Sequence, residues 1–324
     1  MRKASLSPSA VLLLAVFSWG WLGLRVRTRG QRLSPKTSYD PNDDSTERWP
    51  LAFAATPSRM VLPGTMPKEE QPVLTPLDAG SRVLVVGATR GIGLEFVRQL
   101  LDKGCEVVAT HRAKKASPAL KELDVAGRLS LLRMDVTDEK SIVAAAKSLS
   151  SQKRTLTHVI HSAGIYGAVG TFDGRERQGR AAAPPVTKES MMQVFEVNAV
   201  GPLLVAQQFA PLLVAASEGQ LPILAILTSK VASVDDNASG GAYAYRASKS
   251  ACNIIAKSLY IDLRSEDRGT VVLLHPGYVK TDMTEGTGLV DAETSVAGML
   301  KAIEATGPKT AFRWVDYKAY CIPW

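Results

Sequence analysis

From residue 82 onward, short apolar runs alternate with longer amphipathic stretches. The runs are rich in Val, Ile and Leu, which predicts strands at RVLVVG, CEVVAT, LSLLRMD, LTHVIHSAG, LPILAILTS and TVVLLHPG. Helical spacing predicts helices at GIGLEFVRQLLDKG, KSIVAAAKSLS, ESMMQVFEVNAVGPLLVAQQFAPLLV and AYRASKSACNIIAKSLYIDLR. Strands that are apolar on both faces and alternate with helices indicate a parallel sheet covered on both sides. We therefore predict a single doubly wound α/β domain over residues 80–324, which binds its ligand at the carboxyl ends of the strands.

The first 79 residues have a different character. A basic start precedes the apolar run VLLLAVFSWGWLGL, which is shorter than the roughly 20 residues of a membrane span and resembles a secretory signal or signal anchor. The chain after this run is rich in Ser, Thr, Pro and charge and has no helix or strand period, as in a linker or transit segment. We expect residues 1–79 to be a non-globular targeting or anchor segment, with residues 10–24 as the candidate membrane contact.

The destination of this segment has two interpretations. An apolar leader followed by a Ser/Thr/Arg-containing extension, with Phe53 inside LAFAATPSRM, resembles the two-part presequences of complex plastids. The acidic residues between positions 40 and 47 depart from the acid-poor composition of transit peptides. We therefore expect an organelle, with the plastid as the leading example, and keep the secretory pathway or a membrane anchor as the alternative.

Composition excludes several other classes of protein. The net charge is +8, but residues 1–70 contribute ten Lys/Arg against six Asp/Glu, and no basic cluster with interleaved aromatic residues appears after them, so nucleic-acid binding is not expected. The three cysteines are odd in number and widely spaced, which indicates reduced thiols. His158 and His161 lie three apart on a predicted strand and face opposite sides, so no metal site is predicted.

A glycine-rich turn, GATRGIG, directly follows the first predicted strand and opens the first helix. Gly87, Gly91 and Gly93 would let backbone amides approach a phosphate at the helix N-terminus, where the dipole favours an anion. The spacing G-x-x-x-G-x-G differs from the common G-x-G-x-x-G, and a purely structural tight turn is the alternative. The position between a strand and a helix favours a dinucleotide cofactor bound by a Rossmann fold.

The second strand ends in Thr110, His111 and Arg112, where a carboxylate would be expected if a ribose 2′-hydroxyl were bound. Arg112, together with Arg90 in the glycine turn, would instead bind a 2′-phosphate, because guanidinium groups pair with phosphate through two hydrogen bonds. Two exposed arginines without a ligand are the alternative. Asp135 ends the third strand, where it would contact the adenine or cap the next turn. NADP is therefore the predicted cofactor.

The segment GGAYAYRASKSA places two tyrosines just before a lysine. On a helix Tyr245 and Lys249 are four apart and share a face, whereas Tyr243 points elsewhere and is expected to pack beside the site. A free tyrosine has a pKa of about 10, so proton transfer near neutrality would require a depression of roughly three units, or about 4 kcal/mol. We expect the charges of Lys249 and of an oxidised nicotinamide to supply part of this depression.

Over about residues 82–324 the sequence resembles the short-chain dehydrogenase/reductase family. The residues that carry the resemblance are GATRGIG, MDVTD, HSAG, Asn198 in FEVNAVGP, LTSK, YRASK and HPGYVKTDM. The TSK, SGGAYAYRASK and IPW details are most similar to the C-factor or sniffer-like carbonyl reductases. Two positions depart from the family: Val86 replaces the usual Thr before the first glycine, and His161-Ser162 replaces Asn-Asn before Ala163 and Gly164.

The resemblance implies a role for each matching residue. Tyr245 would donate a proton to the substrate carbonyl as hydride arrives from the nicotinamide, Lys249 would also bind the nicotinamide ribose, and Asn198 would support a proton relay. Ser229 is favoured over Ser233 as the hydroxyl that orients the carbonyl. Thr281 would contact the carboxamide or pyrophosphate, with a helix cap as the alternative. The full predicted cofactor set is Gly87, Arg90, Gly91, Ile92, Gly93, Arg112, Asp135, Val136, Ala163, Gly164, Tyr245, Lys249, Pro276, Gly277, Val279 and Thr281.

The predicted function is hydride transfer between NADP(H) and a small-molecule carbonyl or alcohol, in the direction that reduces an aldehyde or ketone. A nucleotide-binding regulator without turnover is the alternative, although such a protein would not require the acid Tyr245. A sugar epimerase or dehydratase is disfavoured by the glycine spacing. The insertion over residues 166–188 is either part of the substrate wall or a disordered loop. The long helices near residues 190–215 and 242–264 are candidate surfaces for a homodimer.

Overall fold

In a computed structural model the chain is described over residues 76–123, 127–176 and 182–324. The predicted targeting segment up to residue 75, including the candidate membrane contact at 10–24, lies outside these ranges. No helix within them is long and apolar enough to cross a bilayer. Leu77 is buried in the hydrophobic core, so the packed chain already includes residues just before the predicted domain start at 80.

Seven strands form one parallel sheet in the order β3-β2-β1-β4-β5-β6-β7, which confirms the predicted doubly wound fold. The strands are β1 (Arg82–Val86), β2 (Glu106–His111), β3 (Leu129–Arg133), β4 (His158–His161), β5 (Ile223–Leu227), β6 (Thr270–His275) and β7 (Arg313–Asp316). The first six coincide with the predicted apolar runs. The seventh was not predicted, because its two central apolar residues lie between an arginine and an aspartate and give too short a run.

Helices cover both faces of the sheet. They are α1 (Gly91–Asp102), α2 (Pro118–Glu122), α3 (Glu139–Ser151), α4 (Lys188–Phe195), α5 (Gly201–Phe209), α6 (Tyr243–Ser265) and α7 (Ala292–Glu304). One core packs α1 and α7 against alternate residues of β1, such as Val83 and Val85. The other packs α3, α5 and α6 against the intervening residues, such as Leu84 and Val86. This is the two-sided burial that continuous apolar strands indicate.

The region predicted as one long helix from residue 189 is interrupted. A π-helical segment, Glu196–Val200, separates α4 from α5, and a short 3-10 turn, Ala210–Leu212, comes after α5. Pro202 explains the interruption, because a proline cannot donate to the carbonyl four residues earlier and its ring clashes with it. The amide of Gly201 bonds instead to the carbonyl of Glu196, five residues back.

The order of the strands creates the ligand position. The chain runs outward from β1 to β3 and then returns to β4 on the other side of β1, so the connections leave β1 and β4 in opposite directions. In doubly wound sheets the crevice at this switch point binds the ligand. Both the glycine turn after β1 and the HSAG sequence at the end of β4 lie at this point.

Candidate active site

The glycine turn is packed too closely for any larger residue. Gly87 has a φ of +81°, and a Cβ built on it would lie 2.7 Å from the Cα of Ala163 at the exit of β4. A Cβ on Gly93 would overlap the carbonyl oxygen of Gly87. Thr110 at the end of β2 accepts a hydrogen bond from the Gly87 amide at 3.0 Å. The first turn of α1 is thereby held directly against the strand ends.

A cleft of about 280 Å³ runs from this turn across the carboxyl ends of β1 to β4. Eleven of the predicted cofactor residues line it: Gly87, Arg90, Gly91, Ile92, Gly93, Arg112, Asp135, Val136, Ala163, Gly164 and Thr281. Lining residues that were not predicted include Thr89, Met134, Thr137, Ile165 and Met283. These residues could have been predicted from the sequence, because they lie next to the motif residues at the strand ends. The lining, which joins the glycine turn to the strand ends at the switch point of the sheet, fits a dinucleotide.

Arg90 and Arg112 lie at the mouth of the cleft. The guanidinium of Arg90 forms an ion pair with Asp282 at 2.9 Å, and both side chains are about three-quarters exposed. Such an exposed pair contributes only about 0.2–1 kcal/mol, so a phosphate could replace the carboxylate as its partner. Arg112 is exposed, and no carboxylate lies directly after β2. This arrangement suits a 2′-phosphate and offers no acceptor for a 2′-hydroxyl.

Asp135 serves the turn after β3 while it lines the cleft. Its Oδ1 accepts hydrogen bonds from the amide and the hydroxyl of Thr137, at 3.0 and 2.8 Å. The turn-capping alternative is therefore realised. The other carboxylate oxygen has no described bond to this turn.

The turn after β6 combines a structural and a site position. Thr281 caps the short helix next to it, and its methyl carbon would be 3.3 Å from a Cβ on Gly91, so it also closes the cleft beside the glycine turn. Pro276, Gly277 and Val279 lie outside the lining of the cleft. Gly277 has a φ of +83° and packs against the ring of Tyr317, and Val279 is buried. These three residues shape the turn that presents Thr281.

Ser229, Tyr245 and Lys249 are brought together by β5 and α6. Ser229 lies just beyond the end of β5 and forms a side-chain hydrogen bond with Tyr245 in the first turn of α6. Lys249 is buried one turn later and donates from Nζ to the carbonyl of Leu227 at 2.9 Å. Its ammonium is 5.9 Å from the centre of the Tyr245 ring. The helical register predicted for the tyrosine and the lysine is present.

In the protein without a nicotinamide, Lys249 does not depress the pKa of Tyr245. Burial raises the pKa of Tyr245 to about 12, and the hydrogen bond with Ser229 opposes this rise only in part. Burial also lowers the pKa of Lys249. Desolvation disfavours both charged forms, and the sequence showed the proximity of the lysine but not the depth of the pair. Tyr245 is therefore protonated at neutral pH, as a proton donor must be.

Asn198 is fully buried in the π-helical segment. Its Oδ1 accepts from the amide of Ile165 at 2.9 Å, and its Nδ2 donates to the carbonyl of Ile165 at 2.8 Å and to Ser248 at 3.1 Å. A Cβ on Gly164 would be 3.3 Å from this Oδ1 and 3.4 Å from the ammonium of Lys249. The side chain of Asn198 thus clamps the exit of β4 to α6, next to the lysine.

The structure also shows where the second candidate serine, Tyr243 and two tryptophans lie. Ser233 bonds to the carbonyl of Trp324 and to the amide of Asp236, so it stabilises the loop before α6. Tyr243 is 42% exposed and does not face Lys249. Trp314 is buried in β7, whereas Trp324 stacks on Phe312 with the ring centres 5.6 Å apart. These two tryptophans pack away from the cleft.

His161, which departs from the family pattern, is buried on the sheet face that α6 covers. Neither ring nitrogen has a hydrogen-bond partner among the described residues. Burial and the nearby charge of Lys249 lower the pKa of His161 to about 3, so the ring is neutral. The described residues hold no cluster of side chains that suits a metal ion. All three cysteines are free, with Cys105 and Cys252 buried and Cys321 exposed.

The insertion after β4 is tied across its base. The amide of Thr171 donates to the carbonyl of Pro184 at 3.1 Å, and the amide of Val186 donates to the carbonyl of Thr171 at 3.0 Å. Residues 177–181 lie outside the described ranges. A second, much smaller cavity, which we call the crevice, lies between the insertion and the start of α6, and its lining includes Tyr166 and Tyr245. The described part of the insertion thus forms a wall beside Tyr245.

Comparison with known proteins identifies the class. Residues 81–289 match the short chain dehydrogenase family, and the chain belongs to this family. It is 34% identical over 250 residues to the 1-hydroxy-2-glutathionyl-2-methyl-3-butene dehydrogenase of Rhodococcus sp. (strain AD45), which covers 75% of this chain and 100% of that protein. The predicted family and fold are confirmed, and the protein is an oxidoreductase of this type.

Two solved structures resemble the chain closely. The NADPH-bound carbonyl reductase from chicken fatty liver has a TM-score of 0.66 at 31% identity, covering 79% of this chain and 97% of that one. The carbonyl reductase Sniffer of D. melanogaster has a TM-score of 0.66 at 26% identity, covering 76% and 99%. The predicted resemblance to sniffer-like carbonyl reductases is confirmed.

Proposed function

We propose that this protein reduces an aldehyde or ketone to the alcohol with NADPH. The observation that carries the proposal is the hydrogen-bonded pair of Ser229 and Tyr245, with Lys249 one helical turn away, beside a cleft built for a dinucleotide. The related carbonyl reductase that binds NADPH supports the choice of cofactor. A small-molecule carbonyl compound is the partner that this arrangement requires.

Each residue has a distinct task in the proposed reaction. When bound, the nicotinamide supplies the hydride that is added to the carbonyl carbon. Ser229 holds the carbonyl oxygen by a hydrogen bond, and Tyr245 donates its proton to that oxygen to complete the alcohol. Lys249 places a positive charge near the phenolate that remains and would also bind the ribose. Asn198 acts as a positioning residue, because it fixes Ile165 and Ser248 around the lysine.

The raised pKa of Tyr245 keeps the proposed acid protonated and ready for the reduction step. A tyrosine with a pKa of about 12 is fully protonated at neutral pH and can serve as an acid, whereas oxidation of an alcohol requires its phenolate. Without an added positive charge, the oxidative reaction would be confined to high pH.

NADPH is expected to bind more tightly than NADH. Arg90 and Arg112 at the mouth of the cleft would contact the 2′-phosphate, and no carboxylate lies directly after β2 to repel it. A charge-assisted contact of about 1.5–3 kcal/mol corresponds to a preference of roughly 10- to 150-fold. Equal dissociation constants in titrations of the two cofactors would contradict this part of the proposal.

The alternative is a nucleotide-binding regulator that does not turn over. A regulator would have no need of the buried Ser229–Tyr245 pair, whose acid is poorly solvated and costly to maintain. The two functions are separated by assay: purified protein is mixed with NADPH and a panel of aldehydes and ketones, and absorbance of the reduced nicotinamide is followed. Turnover supports the reductase, whereas tight NADPH binding without turnover across the panel supports the regulator.

The N-terminal segment and the assembly remain separate proposals. We propose that residues 1–79 direct the protein to an organelle such as a plastid, with a secretory or membrane-anchored destination as the alternative; a fluorescent protein fused to residues 1–79 and imaged in cells distinguishes them. We also propose a homodimer through the helices near residues 190–215 and 242–264. Ile254 and Ile261 are both more than half exposed on α6, which supports this surface, and light scattering measures the assembly.

A further inference from the structure

The crevice beside Tyr245 is separate from the cofactor cleft, and the two share no lining residue. One wall consists of Tyr166, residues 168–170 and Val186 from the insertion, and the other of residues 242–245 at the start of α6. Its volume is about 10 Å³, which is room for a single water-sized group. Of these two cavities only the crevice has Tyr245 in its lining, so it is the one next to a carbonyl held by Tyr245.

Tyr166 limits the space closest to Tyr245. The two ring centres are 4.8 Å apart and the planes are tilted by 44°, a favourable aromatic contact. Tyr166 is also 39% exposed, so its ring is held by this contact on one side and faces solvent on the other. The ring therefore occupies space that a bulkier substituent would need.

The backbone of the insertion is closely packed where it forms the crevice. A Cβ on Gly167 would overlap the side chain of Val194 on α4, and one on Gly170 would lie 2.7 Å from the side chain of Val186. The hydrogen bonds of Thr171 to Pro184 and Val186 hold this wall at its base. Side chains, above all that of Tyr166, therefore set the size of the crevice.

We propose that Tyr166 is a specificity-determining residue that restricts one substituent of the carbonyl carbon to hydrogen or methyl. The protein would then reduce aldehydes and methyl ketones in preference to ketones with two larger substituents. This inference rests on the proposed reductase function, because it concerns the substrate of the same Tyr245. The second substituent leaves the crevice and is not restricted by it.

The test compares substrates in which the smaller of the two groups on the carbonyl carbon grows stepwise. The full chain with NADPH is assayed on benzaldehyde and on acetophenone, propiophenone and butyrophenone, and then on 2-, 3- and 4-octanone. A methylene in a fitted pocket changes kcat/KM by about 10-fold or more, so butyrophenone and 4-octanone should fall at least 10-fold below the methyl ketones. Tyr166→Ala should raise kcat/KM for the bulky ketones at least 10-fold and change the methyl ketones by less than about 5-fold.

Two further variants separate ring size from other effects. Tyr166→Phe keeps the ring and should keep the wild-type ratio, whereas Phe172→Ala removes an exposed aromatic residue of the same insertion that does not line the crevice and should also keep it. Tyr166→Leu repeats the test if thermal melting shows that Tyr166→Ala is unfolded.

The outcomes distinguish this inference from the function beneath it. Equal kcat/KM across each series, or an unchanged ratio in both Tyr166→Ala and Tyr166→Leu, overturns the role of Tyr166 and leaves the reductase in place. Failure to reduce any carbonyl compound of either series, benzaldehyde included, overturns the reductase and the specificity together.

Discussion

The site has two halves that are built differently. The cofactor half is the cleft at the strand ends, and the proposed substrate half is the crevice beside Tyr245. The cofactor half is backbone: at Gly87 and Gly93 a single added carbon would meet the neighbouring main chain. The substrate half is side chain, with Tyr166, Val169 and Tyr243 between 39% and 61% exposed. Close-packed backbone tolerates little change, whereas exposed side chains can be exchanged without disturbing the sheet. The first half therefore defines the class of reaction, and the second adapts it to a substrate.

The largest effect should result from Gly93→Ala, which tests whether the closely packed cofactor half tolerates one added methyl group. The new methyl group would overlap the Gly87 carbonyl, so we expect destabilisation by several kcal/mol and loss of cofactor binding. Thermal melting and NADPH titration measure both effects. Gly219→Ala is the control, because its Cβ meets open space and only the positive φ of +79° opposes it, at about 1 kcal/mol. Normal NADPH affinity in Gly93→Ala would show that the turn has more freedom than its contacts suggest.

Where the two halves meet, Tyr245→Phe should reduce turnover by about 100-fold or more, because it removes the proton donor and keeps the ring. Cofactor affinity should be unchanged. Tyr243→Phe is the matched control two residues earlier, and its loss should be much smaller, since that hydroxyl does not face Lys249. Turnover of one active carbonyl compound measures both variants. Near-native turnover in Tyr245→Phe would remove the assignment of the acid.

We expect low pH to destabilise the sheet beneath the cofactor half more than the exposed substrate half. Burial lowers the pKa of His158 to about 4 and those of His161 and His275 to about 3, against 6.5 in an unfolded chain. Below pH 6.5 these histidines are protonated in the unfolded state but neutral in the folded state. The free energy of unfolding therefore decreases as the pH falls, until the pH reaches the pKa values of the folded state. Three such histidines correspond to a loss of about 4 kcal/mol between pH 7.5 and 5.5.

Urea unfolding at several pH values measures this loss. His161→Asn places there a residue that does not titrate, and its unfolding free energy should depend on pH about two-thirds as steeply over the same range. The same pH dependence in the variant and the wild type would mean that other groups cause the acid sensitivity.

A smaller effect is expected at the exposed mouth of the cofactor half. Arg112→Ala should weaken NADPH binding by about 10-fold and leave NADH binding unchanged, because only the 2′-phosphate contact is lost. Asp282→Asn should tighten NADPH binding a few-fold by releasing Arg90 from its ion pair. Isothermal titration with both cofactors checks the changes, and Arg268→Ala, an exposed arginine paired with Glu266, is the control. A parallel loss of NADH affinity in Arg112→Ala would point to a general structural role for that arginine.

The same division explains how much the sequence could predict. The glycine turn, the strand ends and the Tyr245–Lys249 register are local patterns with a fixed relation to neighbouring elements, so six strands and most of the cleft could be predicted from them. The crevice is assembled from the insertion and the start of α6, and no periodicity links Tyr166 to Tyr245. The effect of burial on the tyrosine pKa could not be predicted for a related reason: a sequence shows which charge is near, but burial depends on the whole packed site.

The π-helical segment limits where related chains can lose a residue. A wide turn of this sort contains one residue more than an α-helix over the same distance, and here it carries the Asn198 clamp. Deleting one residue would rotate α4 by about 100° relative to α5, turning the amide away from Ile165. It would also bring the ring of Pro202 against a helical carbonyl. A natural relative that lacks one residue of this segment should therefore also have replaced Pro202. Such a relative would hold its equivalent of Lys249 in place by other contacts.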